Sequence, residues 1–215
     1  MASHVIVAPA SSRGLQRAYA KEKGYIDVPA NNASAIYPLD TTGSVTLLNT
    51  VAQGASVNQR VGKKIIMKGL QCRGRLMNEP TGVYNDVAYM IVYDKRPTGS
   101  LPTLTEILVD ANSYSMNLDA NAGRFRILKR VDETLLGNTS LTGAVANALT
   151  DRTSCDATWW LDLKSAPVTY KAAGTGAIGD IEEGALYLVT VGMRATGGTD
   201  AGQLTAQFRL RFLDV

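Results

Sequence analysis

The chain has 215 residues, of which 45% are hydrophobic and 19% charged, and its formal net charge is +3. This composition permits a packed core and excludes a chain that is disordered throughout. No apolar run approaches the roughly 18 residues of a membrane-spanning helix, so we expect no membrane insertion. The first ten residues do not have the pattern of a secretory signal peptide.

The charge is unevenly divided along the chain. Residues 1–75 hold 10 Lys or Arg and 3 Asp or Glu, whereas residues 76–215 hold 12 basic and 16 acidic residues. A cationic region attracts polyanions, because each phosphate that it pairs releases a condensed counterion. The asymmetry therefore predicts a nucleic-acid or membrane-surface partner for the first third of the chain.

The chain divides into an arm and a body. Residues 1–40 are small, polar and basic with little periodicity, which predicts an extended, weakly basic N-terminal arm. Residues 41–215 alternate short apolar stretches with turn residues, which predicts one all-β domain. Its eight predicted strands cover residues 44–49, 64–77, 86–93, 124–131, 157–163, 167–171, 184–195 and 203–213. Strands with few helices between them favour a sandwich or barrel over βαβ units.

Two of these strands alternate between apolar and polar residues. Because successive side chains of a strand point to opposite faces, one face of each is predicted to be core. In the last strand the core residues are Leu204, Ala206, Phe208, Leu210 and Phe212. In residues 64–77 the predicted core residues are Ile66, Leu70, Cys72 and Leu76, and the predicted outer residues are Gln71, Arg73 and Arg75.

The adjacent Trp159 and Trp160 are predicted to point to opposite faces of a strand. One can lie in the core while the other meets a loop, a neighbouring subunit or an unpaired base. One short helix is predicted after Pro102, since Thr103 and Glu106 have the spacing of a capping box.

Catalysis is not indicated by any cluster of residues. His4 is the only histidine, so a Ser-His-Asp or Cys-His arrangement would need a residue of the arm. Cys72 and Cys155 are too few for a disulfide scaffold or a cysteine-rich metal site. Residues 174–179 match GxGxxG, but a β-like stretch follows instead of a helix, which favours a loop over a dinucleotide site. We therefore expect a protein that is not an enzyme and has no cofactor or metal.

Several motifs, in order, resemble the capsid proteins of circular Rep-encoding single-stranded DNA viruses, the circoviruses, geminiviruses and their relatives. The most telling stretch is VYDKRPTG at residues 92–99 followed by LPT at 101–103. The other matching stretches are EKGYID at 22–27, QRVGKKI at 59–65, RFRIL at 124–128, PVTY at 167–170 and GALYL at 184–188.

This resemblance implies an eight-stranded viral jelly roll, a two-sheet Greek-key sandwich. It implies a structural protein that self-assembles into a small icosahedral shell, with roughly 60 copies, around a circular single-stranded DNA. It also implies a location in the virion, passage through the host nucleus and a host attachment factor. Two alternatives stay open: a jelly-roll carbohydrate-binding module, and the capsid protein of a small RNA virus or satellite.

One departure from the family concerns the arm. The family's arms are dense in arginine, whereas residues 1–30 hold four basic residues and no run of them. Either the arm or the inner face of the shell could therefore hold the genome. The residues predicted to contact phosphate are Arg13, Arg17, Lys21, Lys23, Lys63, Lys64, Arg73 and Arg75.

Overall fold

The computed structural model describes residues 23–30, 33–78, 84–136, 154–171, 174–195 and 202–215. Within them are eleven strands and one short α-helix. In chain order these are β1 (Lys23–Val28), β2 (Ala35–Leu39), β3 (Ser44–Leu47), β4 (Lys64–Met77), β5 (Asn85–Asp94), α1 (Leu104–Ile107), β6 (Phe125–Leu135), β7 (Ser154–Asp156), β8 (Trp159–Tyr170), β9 (Ile181–Glu183), β10 (Ala185–Gly192) and β11 (Gly202–Asp214).

The strands form two antiparallel sheets. The larger sheet has the order β1-β11-β4-β8-β9, with β2 also paired to β11 and β7 also paired to β4. The smaller sheet has the order β3-β10-β5-β6. Neighbours in both sheets are far apart in sequence, as when β11 pairs with β4 over residues 203–214. Most strand pairs therefore form between segments that are distant in the sequence.

The two sheets pack face to face around one continuous apolar core. Trp159 of β8 stacks on Tyr89 of β5, with ring centroids 6.4 Å apart, and donates its indole N–H to the Tyr89 hydroxyl at 2.8 Å. Phe208 of β11 packs against Tyr37 and Trp159. The even-numbered residues 204–212 are at most 2% exposed, so the core face predicted for the last strand is confirmed. The fold is the all-β, two-sheet jelly-roll sandwich that was predicted.

The outer face of the smaller sheet is covered by the connection between β5 and β6. Leu104, Ile107 and Leu108 of this connection are buried. Arg130 of β6 donates hydrogen bonds to the carbonyl oxygens of Ser113 and Ser115 within it, both at 2.6 Å. This cover explains why β5 and β10 are apolar on both faces.

The helix α1 lies in the same connection, where the sequence predicted it. The Glu106 carboxylate accepts a hydrogen bond from the backbone N–H of Thr103 at 2.7 Å. This contact is the part of a capping box that satisfies an otherwise unpaired backbone donor.

The eight predicted strands are all present, with some differences. The predicted strands 157–163 and 167–171 are combined, except for their outer ends, in the one strand β8 (Trp159–Tyr170), in which Lys164 and Ser165 take positive φ values of 50° and 63°. The three-residue strands β7 and β9 were not predicted, because so short a segment has no periodicity to detect.

The predicted arm takes part in the larger sheet over its second half. Strand β1 pairs with β11 from Lys23 opposite Leu213 to Val28 opposite Phe208, and β2 pairs with β11 farther along. Residues 1–22 lie outside the described part of the chain. A division of the chain at residue 40 remains a prediction.

The face predicted for Ile66 is wrong. Ile65 and Met67 are fully buried, and Ile66 is on the outer face with the arginines. The register of β4 shifts by one residue at Lys68 against β11, and residues 163–165 of β8 are unpaired opposite the same position. A bulge of this kind adds one residue to one strand and reverses the alternation beyond it, so Leu70, Cys72 and Leu76 are buried as predicted while Ile66 is not.

Candidate nucleic-acid interface

The outer face of the larger sheet, the side turned away from the core, is basic along its two central strands. Strand alternation leaves the charged residues on this side because their neighbours fill the core. We call this surface the basic face, and define it by Lys64, Lys68, Arg73 and Arg75 of β4 and Arg209 and Arg211 of β11. Neither strand places an acidic residue among these six cations.

The residues predicted to contact phosphate are partly brought together here. Lys64, Arg73 and Arg75 belong to the basic face, Lys63 directly precedes β4, and Lys23 starts β1; all five are exposed. Arg13, Arg17 and Lys21 lie outside the described residues. The larger sheet thus gathers the five described members of the set, and their contact with phosphate remains a prediction.

Most of the basic face has no carboxylate partner. In the part of the chain that the structure describes, ion pairs form at Arg124, Arg130 and Arg209 only. Lys68 donates a hydrogen bond to the Ser165 hydroxyl at 2.7 Å. Two exposed acids of the neighbouring strands share this face, Asp156 opposite Arg75 and Asp162 opposite Gly69, and neither is within ion-pair distance of a described cation. The cations outnumber these acids, so the field over the sheet is positive and attracts a polyanion.

Arg209 is the one member of the basic face held by an acid. It donates two hydrogen bonds to the Asp27 carboxylate of β1, each at 2.7 Å, and these raise the pKa of Arg209 above its usual value. Its guanidinium also lies over the ring of Tyr25, 4.6 Å from the centroid. This double contact ties β1 to β11.

Arg211 lies over an aromatic ring on the other side. Its guanidinium carbon is 5.6 Å from the ring centroid of Trp160 in β8. Trp160 is 53% exposed, whereas Trp159 points into the core, so the two tryptophans do point to opposite faces as predicted. The indole lies against Gly69 of β4, where a Cβ atom would come within 2.1 Å of the ring. A glycine at this position is therefore what lets the indole lie close to the sheet.

A depression of about 480 Å³ opens between β1, β11 and β4. Four cations and one tyrosine line it, namely Lys23, Tyr25, Lys68, Arg209 and Arg211.

Four residues of this surface were not in the predicted phosphate-contact set: Lys68, Arg209, Arg211 and Tyr25. The alternation of the last strand already placed Arg209 and Arg211 on its polar face. Lys68 could have been found from Gly69, because a glycine inside a strand often marks a bulge. Tyr25 could not have been found from the sequence, because β1 is recognised as a strand only by its pairing with β11.

Two other kinds of site, for a metal ion and for a dinucleotide, were compared with the described residues. They contain no group of three or more His, Cys, Asp or Glu side chains that could hold a metal ion. The GxGxxG loop is followed by a 3₁₀ turn (Ile178–Asp180) and β9. Its Gly176 N–H donates to the Asp180 carboxylate at 3.1 Å, so an anion of the chain itself occupies the loop.

The two thiols differ in their burial. Burial raises the pKa of the Cys72 thiol to about 12, which makes it a poor nucleophile. Cys155 is half-buried and not in a disulfide. Within the described ranges, no helix has the length and apolar character needed to cross a bilayer.

Solved viral structures are similar to this chain at low identity. Desmodium yellow mottle tymovirus matches with 11% identity and a TM-score of 0.34, covering 89% of this chain and 88% of that one. The VP2 subviral particle of infectious bursal disease virus matches with 11% identity and a TM-score of 0.30, and the Gx strain of that virus with 12% and 0.31. This chain covers 33% of each bursal disease virus chain.

Sequence comparison identifies the family. No curated protein matches the chain. The model of the geminivirus coat protein/nuclear export factor BR1 family, however, matches residues 10–215. The match extends over nearly the whole chain, including both sheets and the basic face. The chain therefore belongs to the geminivirus coat protein/nuclear export factor BR1 family.

Proposed function

We propose that this structural coat protein assembles into a closed icosahedral shell around a circular single-stranded DNA, with the basic face turned toward the genome. The observation that carries the proposal is the row of six cations on β4 and β11, of which only Arg209 is paired with an acid. Phosphate contacts of this kind position a nucleic acid without reading its sequence, which suits the packaging of a whole genome.

Self-assembly requires surfaces that bind other copies. In the β5–β6 connection, Val109, Tyr114 and Met116 are 53%, 65% and 76% exposed. Stable interfaces have an apolar centre and a polar rim, and these three side chains provide such a centre. The Val109 N–H donates to the Met116 carbonyl at 3.0 Å, and the Tyr114 hydroxyl donates to Asp86. These bonds hold the apolar side chains in place before any partner arrives, which lowers the entropic cost of association.

Family membership favours this function over the carbohydrate-binding alternative, and a coat protein has no need of a catalytic site or cofactor. Passage through the host nucleus and binding of a host attachment factor belong to the same proposal. DNA is chosen over RNA from the family alone, since a cationic surface attracts both.

Electron microscopy and light scattering of the purified protein test assembly. We expect uniform closed particles, whose mass gives the copy number, and extracted nucleic acid that is digested by DNase but not by RNase. Met116→Asp should reduce particle formation, while Ser100→Asp, an exposed change in the same connection, should not. A wild-type protein that stays monomeric at high concentration would contradict the proposal. Particles filled with RNA would overturn its choice of genome.

A further inference from the structure

Two aromatic rings and two guanidinium groups form a line across the basic face, which we call the stacking row: Tyr25, Arg209, Arg211 and Trp160. Tyr25 is directly opposite Arg211, and Arg211 is opposite Gly69. Trp160 is opposite Gln71, which is opposite Arg209. The row runs from β1 to β8, across three strand spacings, or about 14 Å.

Each ring of the stacking row has a guanidinium over it and remains open to solvent. Tyr25 is 39% exposed beneath Arg209, and Trp160 is 53% exposed beneath Arg211. Tyr and Trp are enriched at interfaces, because their rings are apolar at one end and polar at the other. Because Gly69 has no side chain, nothing projects from β4 between Arg211 and Trp160.

The depression beside the row supplies cations. Lys23 and Lys68 line it together with Arg209 and Arg211. Arg209 is largely neutralised by Asp27, and the exposed Asp162 lies opposite Gly69 on the same face. Lys23, Lys68 and Arg211 form no ion pair with a described acid and outnumber Asp162, so they can attract an anion. Exposed rings beside free cations match the two parts of a nucleotide, a flat base and a charged phosphate.

We propose that the stacking row and its depression form a subsite for single-stranded nucleic acid, in which unpaired bases stack on Tyr25 and Trp160 and the phosphates between them contact Lys23, Lys68 and Arg211. This inference rests on the proposed function and adds to it that bases, as well as phosphates, touch the coat protein. Base–aromatic stacking tolerates any sequence because every base has a π-face. It requires unpaired bases, so the subsite favours single strands over duplexes.

The test measures the affinity of the dissociated full-length protein for two fluorescent probes of equal length. One is an oligo(dT) and the other its abasic analogue, which has the same phosphates and no bases. Trp160→Ala should weaken oligo(dT) binding about 5- to 150-fold, the range for loss of one stacked base, and leave the abasic probe unchanged. Lys68→Ala should weaken both probes and reduce the salt dependence of each.

Two further variants serve as controls for this test. Trp160→Phe retains a ring and should restore most of the oligo(dT) affinity, whereas a structural role for the indole would leave the defect. Leu101→Ala changes an exposed side chain of the β5–β6 connection and should affect neither probe. Oligo(dT) should also quench the fluorescence of wild-type protein, because Trp160 is the exposed tryptophan.

The outcomes separate this subsite from the proposed function. If Trp160→Ala weakens both probes equally, or neither, the bases do not stack here and the subsite is wrong, although the phosphate contacts stand. If wild-type protein binds neither probe, the proposed DNA packaging fails as well. Tighter binding of a matched duplex than of oligo(dT) would also overturn the subsite. An oligo(U) probe bound at least tenfold more tightly than oligo(dT) would assign it to RNA.

Discussion

Arg211 reaches over strand β4 toward the ring of Trp160, with 5.6 Å between its guanidinium carbon and the indole centroid. The contact depends on Gly69, since the residue between the two side chains must have none of its own. A Cβ atom there would lie 2.1 Å from one indole carbon and 2.5 Å from the next. One glycine thus determines how an exposed tryptophan and a cation are arranged on the basic face.

Gly69→Ala should displace the indole and weaken oligo(dT) binding in the same direction as Trp160→Ala. The added methyl group occupies space that the ring fills, so the ring must move. Fluorescence titration with oligo(dT) measures the effect. Gly123→Ala is the matched control, because a Cβ atom there meets nothing within 4 Å. Equal affinities for the two alanine variants would contradict the role given to Gly69.

Phe208→Ala should destabilise the fold by about 3–5 kcal/mol, as other buried Phe→Ala changes do. Phe208 is fully buried between Tyr37 and Trp159, and its loss leaves a cavity. Urea unfolding of the dissociated protein measures the free energy of unfolding. Gln207→Ala, one residue away on the outer face, should change it by less than about 1 kcal/mol. A similar loss in both variants would show that the assigned core face is wrong.

Arg124→Met should cost about 3–5 kcal/mol, because it leaves a buried carboxylate without its cation. The guanidinium of Arg124 contacts Asp94 at 2.9 Å, and the Asp94 side chain is 0% exposed. Arg209→Met removes a similar ion pair from a 40% exposed arginine. That loss should cost about 0–1 kcal/mol. The same urea experiment compares the two, and equal losses would contradict the importance given to burial.

Stability should fall steeply in alkali. Burial raises the pKa of Tyr37, of Tyr89 and of the Cys72 thiol to about 12, from 10.0 for the tyrosines and 9.0 for the thiol. A raised pKa means that the folded state keeps its proton longer than the unfolded state. Each such group contributes to the free energy of unfolding in full below the pKa that it has in the unfolded state. This contribution is lost as the pH rises from there toward 12, at about 1.4 kcal/mol per pH unit for each group.

Tyr89→Phe tests the alkaline loss. In urea unfolding at pH 8, 10 and 11, the free energy of unfolding of the variant should fall less above pH 10 than that of wild-type protein. The difference should be roughly the contribution of one titrating group. At neutral pH the variant should also lose about 1–3 kcal/mol, because the Trp159 N–H loses its buried acceptor. Tyr84→Phe, at an exposed tyrosine, is the control. An unchanged pH slope in Tyr89→Phe would show that Tyr89 does not titrate in this way.

Local patterns predicted an all-β sandwich or barrel and the faces of its most regular strand, whereas the two-sheet jelly roll was implied by the family resemblance. In β11 the alternation around Phe208 is uninterrupted, so its buried side could be identified from residue types alone. In β4 the bulge at Lys68 reverses the alternation. Gly69 is a local signal for a bulge, but the pairing with β11 is what shows which residues change face. Strand β1 has no local signal for the same reason, since its hydrogen bonds go to β11, 180 to 190 residues away.

The candidate site was predicted in part. The uneven distribution of charge along the chain predicted phosphate contacts at Lys63, Lys64, Arg73 and Arg75, because charged residues can be read directly from the sequence. The stacking row was not predicted, because it joins three strands that are distant in sequence. Its Trp160 was recognised as a possible stacking platform, but Arg211 could be placed over it only once the register of β8, β4 and β11 was known.

The basic face, rather than the N-terminal arm, should hold most of the genome. Deleting residues 1–20 removes two of the predicted phosphate contacts, Arg13 and Arg17. Changing Lys63, Lys64, Arg73 and Arg75 to Gln removes four cations on or next to β4. Counterion release scales with the number of phosphates contacted, so the second variant should lose more nucleic acid.

The decisive measurement is the ratio of absorbance at 260 and 280 nm for particles purified from these two variants and from wild-type protein. Particle integrity is checked by electron microscopy, so that a low ratio reports empty particles rather than failed assembly. We predict that the ratio falls strongly in the four-residue variant and little in the arm deletion. Full particles from the four-residue variant together with empty particles from the arm deletion would contradict the account.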